Sequence, residues 1–183
     1  MGSLSRISIA ALLLLGPSAI AQQSPPEPKT VPESIMFIWT DVERDFVALA
    51  EAMPEQNWDF KPAQGEFKNV RTFGEQVKHV ACANEAWAKQ ILGEKQPARC
   101  DLGGPSSAKT KAEIVVYLRE SFGMVDKAIA ATTADNLLHP NPGDYWGPNR
   151  LSALIATVWH VSDHYGQLVE YLRMNGIVPP ASR

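Results

Sequence analysis

Three times in this chain a threonine is followed three places later by a glutamate at the head of a stretch with helical apolar spacing: Thr30 and Glu33, Thr72 and Glu75, Thr110 and Glu113. In this pattern the hydroxyl accepts from the amide three residues on, and the carboxylate returns to the amide of the threonine, so each pair marks where a helix begins. After Thr30 the apolar residues Ile35, Ile38, Trp39, Val42, Phe46, Leu49, Ala50 and Met53 predict a helix over about 31 to 53, stopped by Pro54. A second helix is expected from about 70 to 92, with Phe73, Val77, Val80, Ala81, Trp87 and Ile91 inward and Gly93 ending it. A third opens at Thr110 and carries Ile114, Leu118, Val125 and Ile129. A fourth is expected over about 150 to 175, where Leu151, Leu154, Ile155, Val158, His160, Val161, His164, Leu168, Tyr171 and Leu172 make a broad inward face before Gly176 and Pro179-Pro180.

The connections PEQNWDFKPAQGEF, GEKQPARCDLGGPSSAK and LLHPNPGDYWGPNR are too rich in proline and glycine to hold a regular period. No alternating strand pattern of useful length occurs between them. Four amphipathic helices of about 20 residues can bury their apolar stripes only against one another, which predicts an all-α four-helix bundle. Loops of this length leave the order of the helices around the bundle open.

The bundle should occupy residues 32–180 as one domain. Ahead of it, residues 22–31 are polar and proline-rich and read as a flexible lead-in. Residues 1–21 read as an export signal peptide: MGSLSR supplies a positive charge, ISIAALLLLG an apolar run too short to span a bilayer, and Ala19-Ile20-Ala21 a small-x-small cleavage site. An uncleaved anchor is the alternative. After cleavage the chain should be periplasmic or secreted, with no membrane association. Its net charge of −3, one unit more acidic once Arg6 is removed with the signal, gives no basic footprint for nucleic acid.

Export places Cys82 and Cys100 in an oxidising compartment. As a disulfide they would close a short loop, contributing about 3 kcal/mol through chain entropy. Cys82 is also three residues from His79, so a fourth ligand to a metal and a free core cysteine are the other readings of that position.

The stretch WHVSDHYGQ holds His160 and His164 four residues apart, one helical turn, where two imidazoles can converge on one ion. Residue 161 is valine, so the glutamate of a zinc-peptidase HExxH motif is absent. A third donor must come from His79 or His139. His79 sits in the middle of the second helix beside Cys82, Ala83 and Ala86, whereas His139 lies in a proline-rich connection, and a mid-helix position is the better held. Three neutral imidazoles would bind a borderline divalent ion, zinc or nickel, and leave a coordination position open for water or a substrate atom. Asp163 is either an orienting acceptor for a histidine or a surface carboxylate. Tyr145 and Trp146 either line a pocket over the metal or cap the core, and Arg173 reads as structural. Gly166, within the fourth helix, suggests a close helix contact.

The runs VRTFGEQVKHVACANEAW and HYGQLVEYLRMNGIVPP, with Trp159-His160 just ahead of the latter, resemble the DinB superfamily of four-helix bundles, also described as YfiT-like metal-dependent hydrolases. The resemblance spans about Pro32 to Pro180. Its most specific parts are H-x-x-x-H-x-x-Q followed by YLR-x-x-G-x-x-PP, and the single histidine of the second helix. It implies a divalent metal held by His79, His160 and His164, and gives His139 no role. Members with assigned activities are transferases or isomerases that use bacillithiol or mycothiol, the metal activating the thiol. Two functions follow as expectations: a metal-dependent hydrolase or thiol-dependent transferase acting on a small molecule, or a non-catalytic bundle, compatible with a homodimer, whose helix surfaces serve association.

Overall fold

The computed structural model describes residues 27–97, 99–100, 104–141 and 147–183. The export signal, half of the lead-in, and the loop aromatics Tyr145 and Trp146 lie outside them. Four helices make up the bundle: α1 Val31–Ala52, α2 Phe73–Leu92, α3 Lys111–Ala130 and α4 Arg150–Met174. Among the described residues there is no strand, only an isolated antiparallel bridge between Pro140 and Asn149.

Each threonine-glutamate pair forms its capping box, at Thr30, Thr72 and Thr110. At α2, for example, the Glu75 amide donates to Thr72 Oγ1 at 3.2 Å and the Thr72 amide to Glu75 Oε2 at 2.8 Å. The fourth helix begins on Asn149, whose Oδ1 accepts from the Ser152 amide. Gly93, at φ +75°, ends α2 in the left-handed conformation that costs glycine nothing. The second helix begins at 73 rather than 70 because the residues before it are held by the α1–α2 connection: the Phe73 amide donates to the Phe60 carbonyl and the Gly74 amide to the Trp58 carbonyl. A Cβ at Gly74 would stand 2.8 Å from Trp58 Cε3, so this approach requires glycine.

Hydrogen bonds at the helix ends fix the directions. The end of α1 meets the starts of both α2 and α3: Trp58 Nε1 donates to the Met53 carbonyl, and Lys111 Nζ donates to the carbonyls of Glu51 and Met53. Along the α2–α4 seam, contacts advance on one helix as they retreat on the other, from Arg71 with Tyr171, through Gln76 with Gln167, to His79 with His160. The order is therefore up, down, down, up. Among the described residues α2 packs against α3 and α4, and α1 against α4 and α3, so consecutive helices α1 and α2 sit diagonally.

Because α2 and α3 run the same way, residues 93–110 must return the length of a helix. The described residues of this return segment are fastened to α2 twice, by the Cys82–Cys100 disulfide and by Lys78 Nζ, which donates to the Ser106 and Ala108 carbonyls at 2.8 and 2.7 Å. The core runs through the middle of the bundle, with Trp39, Phe46, Phe73, Leu118, Phe122, Leu154 and Leu168 all buried and the Trp39 and Phe122 rings 4.9 Å apart. Ile38 and Ile155 depart from the inward faces expected of them, being 49% and 56% exposed. On α4 the inward stripe is Leu154, Val161, Leu168 and Leu172, and Ile155 lies one residue, about 100° of helix, past it. No helix among the described residues is long and apolar enough to cross a membrane.

Candidate metal centre

The middle of the α2–α4 seam is where the histidines gather. His79 of α2 and His160 and His164 of α4 each offer a ring nitrogen, all within 4.8 Å of one another. The ring centroids are 5.2 Å apart for His79 and His160, 5.0 Å for His79 and His164, and 4.5 Å for His160 and His164. The i, i+4 spacing stacks the last two on one face of α4, and the antiparallel crossing with α2 delivers the third. His139 is exposed on the α3–α4 connection, away from this cluster.

Two contacts set the protons. His79 Nδ1 lies 2.7 Å from the Cys100 carbonyl oxygen, and since a carbonyl only accepts, the ring donates there through Nδ1. Its Nε2 is then a bare lone pair aimed at His160 Nε2, 3.2 Å away, which serves as the donor of that pair. Burial pushes His160 down to about 3, reinforced by the repulsion its charged form would meet from His164 and His79 when they too are protonated, and from Arg71. Burial and His79 push His164 down to about 4, with Asp163 opposing and Arg71 assisting. Both rings are accordingly neutral at neutral pH, the form in which an imidazole coordinates a metal.

The donor set suits a divalent cation. Nitrogens bound at ~2.1 Å to a tetrahedral ion stand roughly 3.4 Å from each other, and the observed spacings straddle that value. Among the described residues the Nδ1 atoms of His160 and His164 are buried without a hydrogen-bond partner, so nothing there fixes which nitrogen of either ring carries the proton. Cys82 is committed to the disulfide and offers no thiolate to close the site.

The flanks of the cluster show residues that sequence reasoning did not assign. One turn away, buried Gln76 donates through Nε2 to Gln167 Oε1 at 3.0 Å, and Gln167 Nε2 donates to Asp163 Oδ2 at 2.8 Å. Asp163 therefore takes a glutamine, not a histidine. A glutamine three residues before His79 on the same helix face was the available signal for this pair. Beyond it, Tyr171 OH donates to the Arg71 carbonyl, placing Arg71 at the mouth of α2, from where its charge reaches both α4 histidines. Trp87 stands edge-on to His160, centroids 5.2 Å apart at 87°, and walls the opposite side. Arg173 pairs with Glu170 at the surface. Gly166 marks no close helix contact: it is exposed, and an added Cβ meets no described atom within 4 Å.

No similarity to a curated protein is detected. The family model for the DinB superfamily matches residues 38–168, from α1 through both histidines of α4. With that match over most of its length and a histidine cluster on the second and fourth helices of a four-helix bundle, the chain belongs to the DinB superfamily.

Proposed function

We propose that this is an exported protein that binds one divalent ion, zinc or nickel, through His79, His160 and His164, and acts as a metal-dependent hydrolase on a small molecule. The observation that supports it is the convergence of three ring nitrogens within 4.8 Å, two of them on rings that burial keeps neutral. The fourth position stays open because no other metal-binding side chain joins the three among the described residues. A metal there would supply Lewis acidity, lowering the pKa of a bound water or thiol.

The surrounding residues orient and select. The Gln76 to Gln167 pair locks α2 against α4 one turn from the histidines and keeps the donors in register. Arg71 brings positive charge to bear on both α4 histidines, with Asp163 opposing it at His164. No carboxylate belongs to the cluster among the described residues, so the site supplies no built-in general base of the peptidase kind. Export, consistent with the disulfide, separates the protein from the cytoplasmic thiols used by assigned members of the family and favours water over a thiol as the nucleophile.

The test is elemental analysis of mature protein purified from the exported fraction without chelator. Close to one zinc or nickel per chain is expected, falling to near zero for His160→Ala; full metal content in that variant would remove the ligand assignment. A panel of esters, amides and thiol conjugates, assayed with each metal, then separates hydrolase from transferase. The second reading, a non-catalytic association protein, is favoured by one feature, the exposed Ile155 and Trp159 on α4, and silence across the panel would support it.

A further inference from the structure

The return segment between α2 and α3 does more than connect two parallel helices. It brings a backbone carbonyl, that of Cys100, to 2.7 Å from His79 Nδ1, and it is pinned at that same residue by the bond to Cys82, one turn along α2 from His79. Gly104, at φ +68°, packs so closely on the bridge that an added Cβ would collide with Cys82 Sγ and approach the Arg99 carbonyl to 3.0 Å. The carbonyl, the sulfur bridge and the histidine are thus one packed unit on one face of one helix.

We infer that the Cys82–Cys100 disulfide is a positioning device for the metal site: it holds the Cys100 carbonyl against His79, fixes the ring in the tautomer whose Nε2 is bare, and so raises the site's affinity for a divalent ion. A histidine ligand whose second nitrogen donates to a fixed acceptor is oriented and made more basic, and loss of such an acceptor weakens metal binding about 10- to 100-fold. In most secreted domains a disulfide acts on the unfolded chain. Here its second residue also touches the functional ring. The chemistry ties metal affinity to the redox state of the compartment, since a reduced chain keeps the three histidines but frees the carbonyl. The inference rests on the proposed metal-binding reading, and its test separates the two.

The mature, metal-free chain with its disulfide intact is labelled with nitrogen-15, and the histidine side chains are observed by long-range proton–nitrogen correlation at neutral pH. His79 is expected to carry its proton on Nδ1. Protonation of His79 at Nε2 in this species overturns the inference whether or not any variant folds. In Cys82→Ala/Cys100→Ala, which adds no new ligand, His79 should shift toward the Nε2-protonated form, and the zinc dissociation constant from chelator competition should rise at least tenfold at unchanged stoichiometry. An unchanged tautomer and affinity in the folded double variant overturn it. Lys78→Met loosens the same segment at Ser106 and Ala108 without touching the bridge; it should keep both tautomer and affinity within twofold, and an effect equal to that of the double variant would overturn the role of the disulfide. If neither protein binds zinc or nickel, the metal reading fails, and the tautomer comparison still decides the positioning claim.

Discussion

At the scale of single residues the site is governed by how burial treats imidazoles. In the unfolded chain His160 and His164 take up protons near the ordinary value of about 6.5, whereas in the folded chain they resist until about 3 and 4. Below pH 6.5 the unfolded state therefore binds more protons than the folded one, so stability is complete above that pH and is lost progressively as pH falls toward 3. For metal-free protein the denaturant midpoint should drop steadily across this window, and His164→Gln should flatten the drop; a midpoint constant from pH 7 to 4 would contradict the neutral, buried assignment. The same depression means that proton competition from His160 and His164 begins well below pH 6, lower than the ordinary imidazole value implies. The three histidines were legible because helical spacing and mid-helix placement are properties of sequence. Gln76 left only its place three residues before His79 as a signal, and Arg71 and the Cys100 carbonyl left none: Arg71 declares itself only once α4 lies antiparallel on α2, and a backbone oxygen leaves no trace in residue identity.

At the scale of elements the helix starts were the most legible feature, because a capping box is a local bargain between a hydroxyl, a carboxylate and two amides that no distant packing need support. Thr110→Ala should cost about 1 kcal/mol by denaturant titration, as the Glu113 amide loses its 3.3 Å acceptor. Gly74→Ala acts through packing instead. Its methyl would enter the Trp58 ring and carbonyl, for which overpacking penalties of roughly 1–3 kcal/mol are usual. Gly166→Ala should do the opposite and stabilise by up to about 1 kcal/mol, since the added methyl meets open space on an exposed helix face. These two glycines lie inside helices and look alike in sequence; only the neighbour across the gap separates them. Ile38 and Ile155 show the converse limit, where an apolar residue at the edge of a stripe is read as core although half of it remains exposed.

At the scale of the whole molecule the topology decides what the chain must do between its helices. Loop lengths alone did not reveal that α2 and α3 run parallel, yet that arrangement is what obliges residues 93–110 to travel back along α2 and brings Cys100 to Cys82 and His79. The pairing was foreseeable from the expected compartment, and its place in the site was not. Stapling a loop of 18 positions removes unfolded-chain entropy equivalent to about 3 kcal/mol. For a domain of this size each kcal/mol moves the thermal midpoint by roughly 2–4 °C, so metal-free Cys82→Ala/Cys100→Ala should melt roughly 6–12 °C below the oxidised parent. Calorimetry of both proteins without metal checks this, and a shift under about 2 °C would mean that the return segment is held by Lys78 and its own packing, with the bridge idle in stability. Metal adds a separate contribution in each protein, because ligand binding to the folded state alone stabilises by an amount set by its affinity. The zinc-induced rise in melting temperature should therefore be smaller in the double variant than in the parent at equal zinc. That difference reports on the site, whereas the metal-free shift reports on the chain, and the two together measure how far one crosslink serves both.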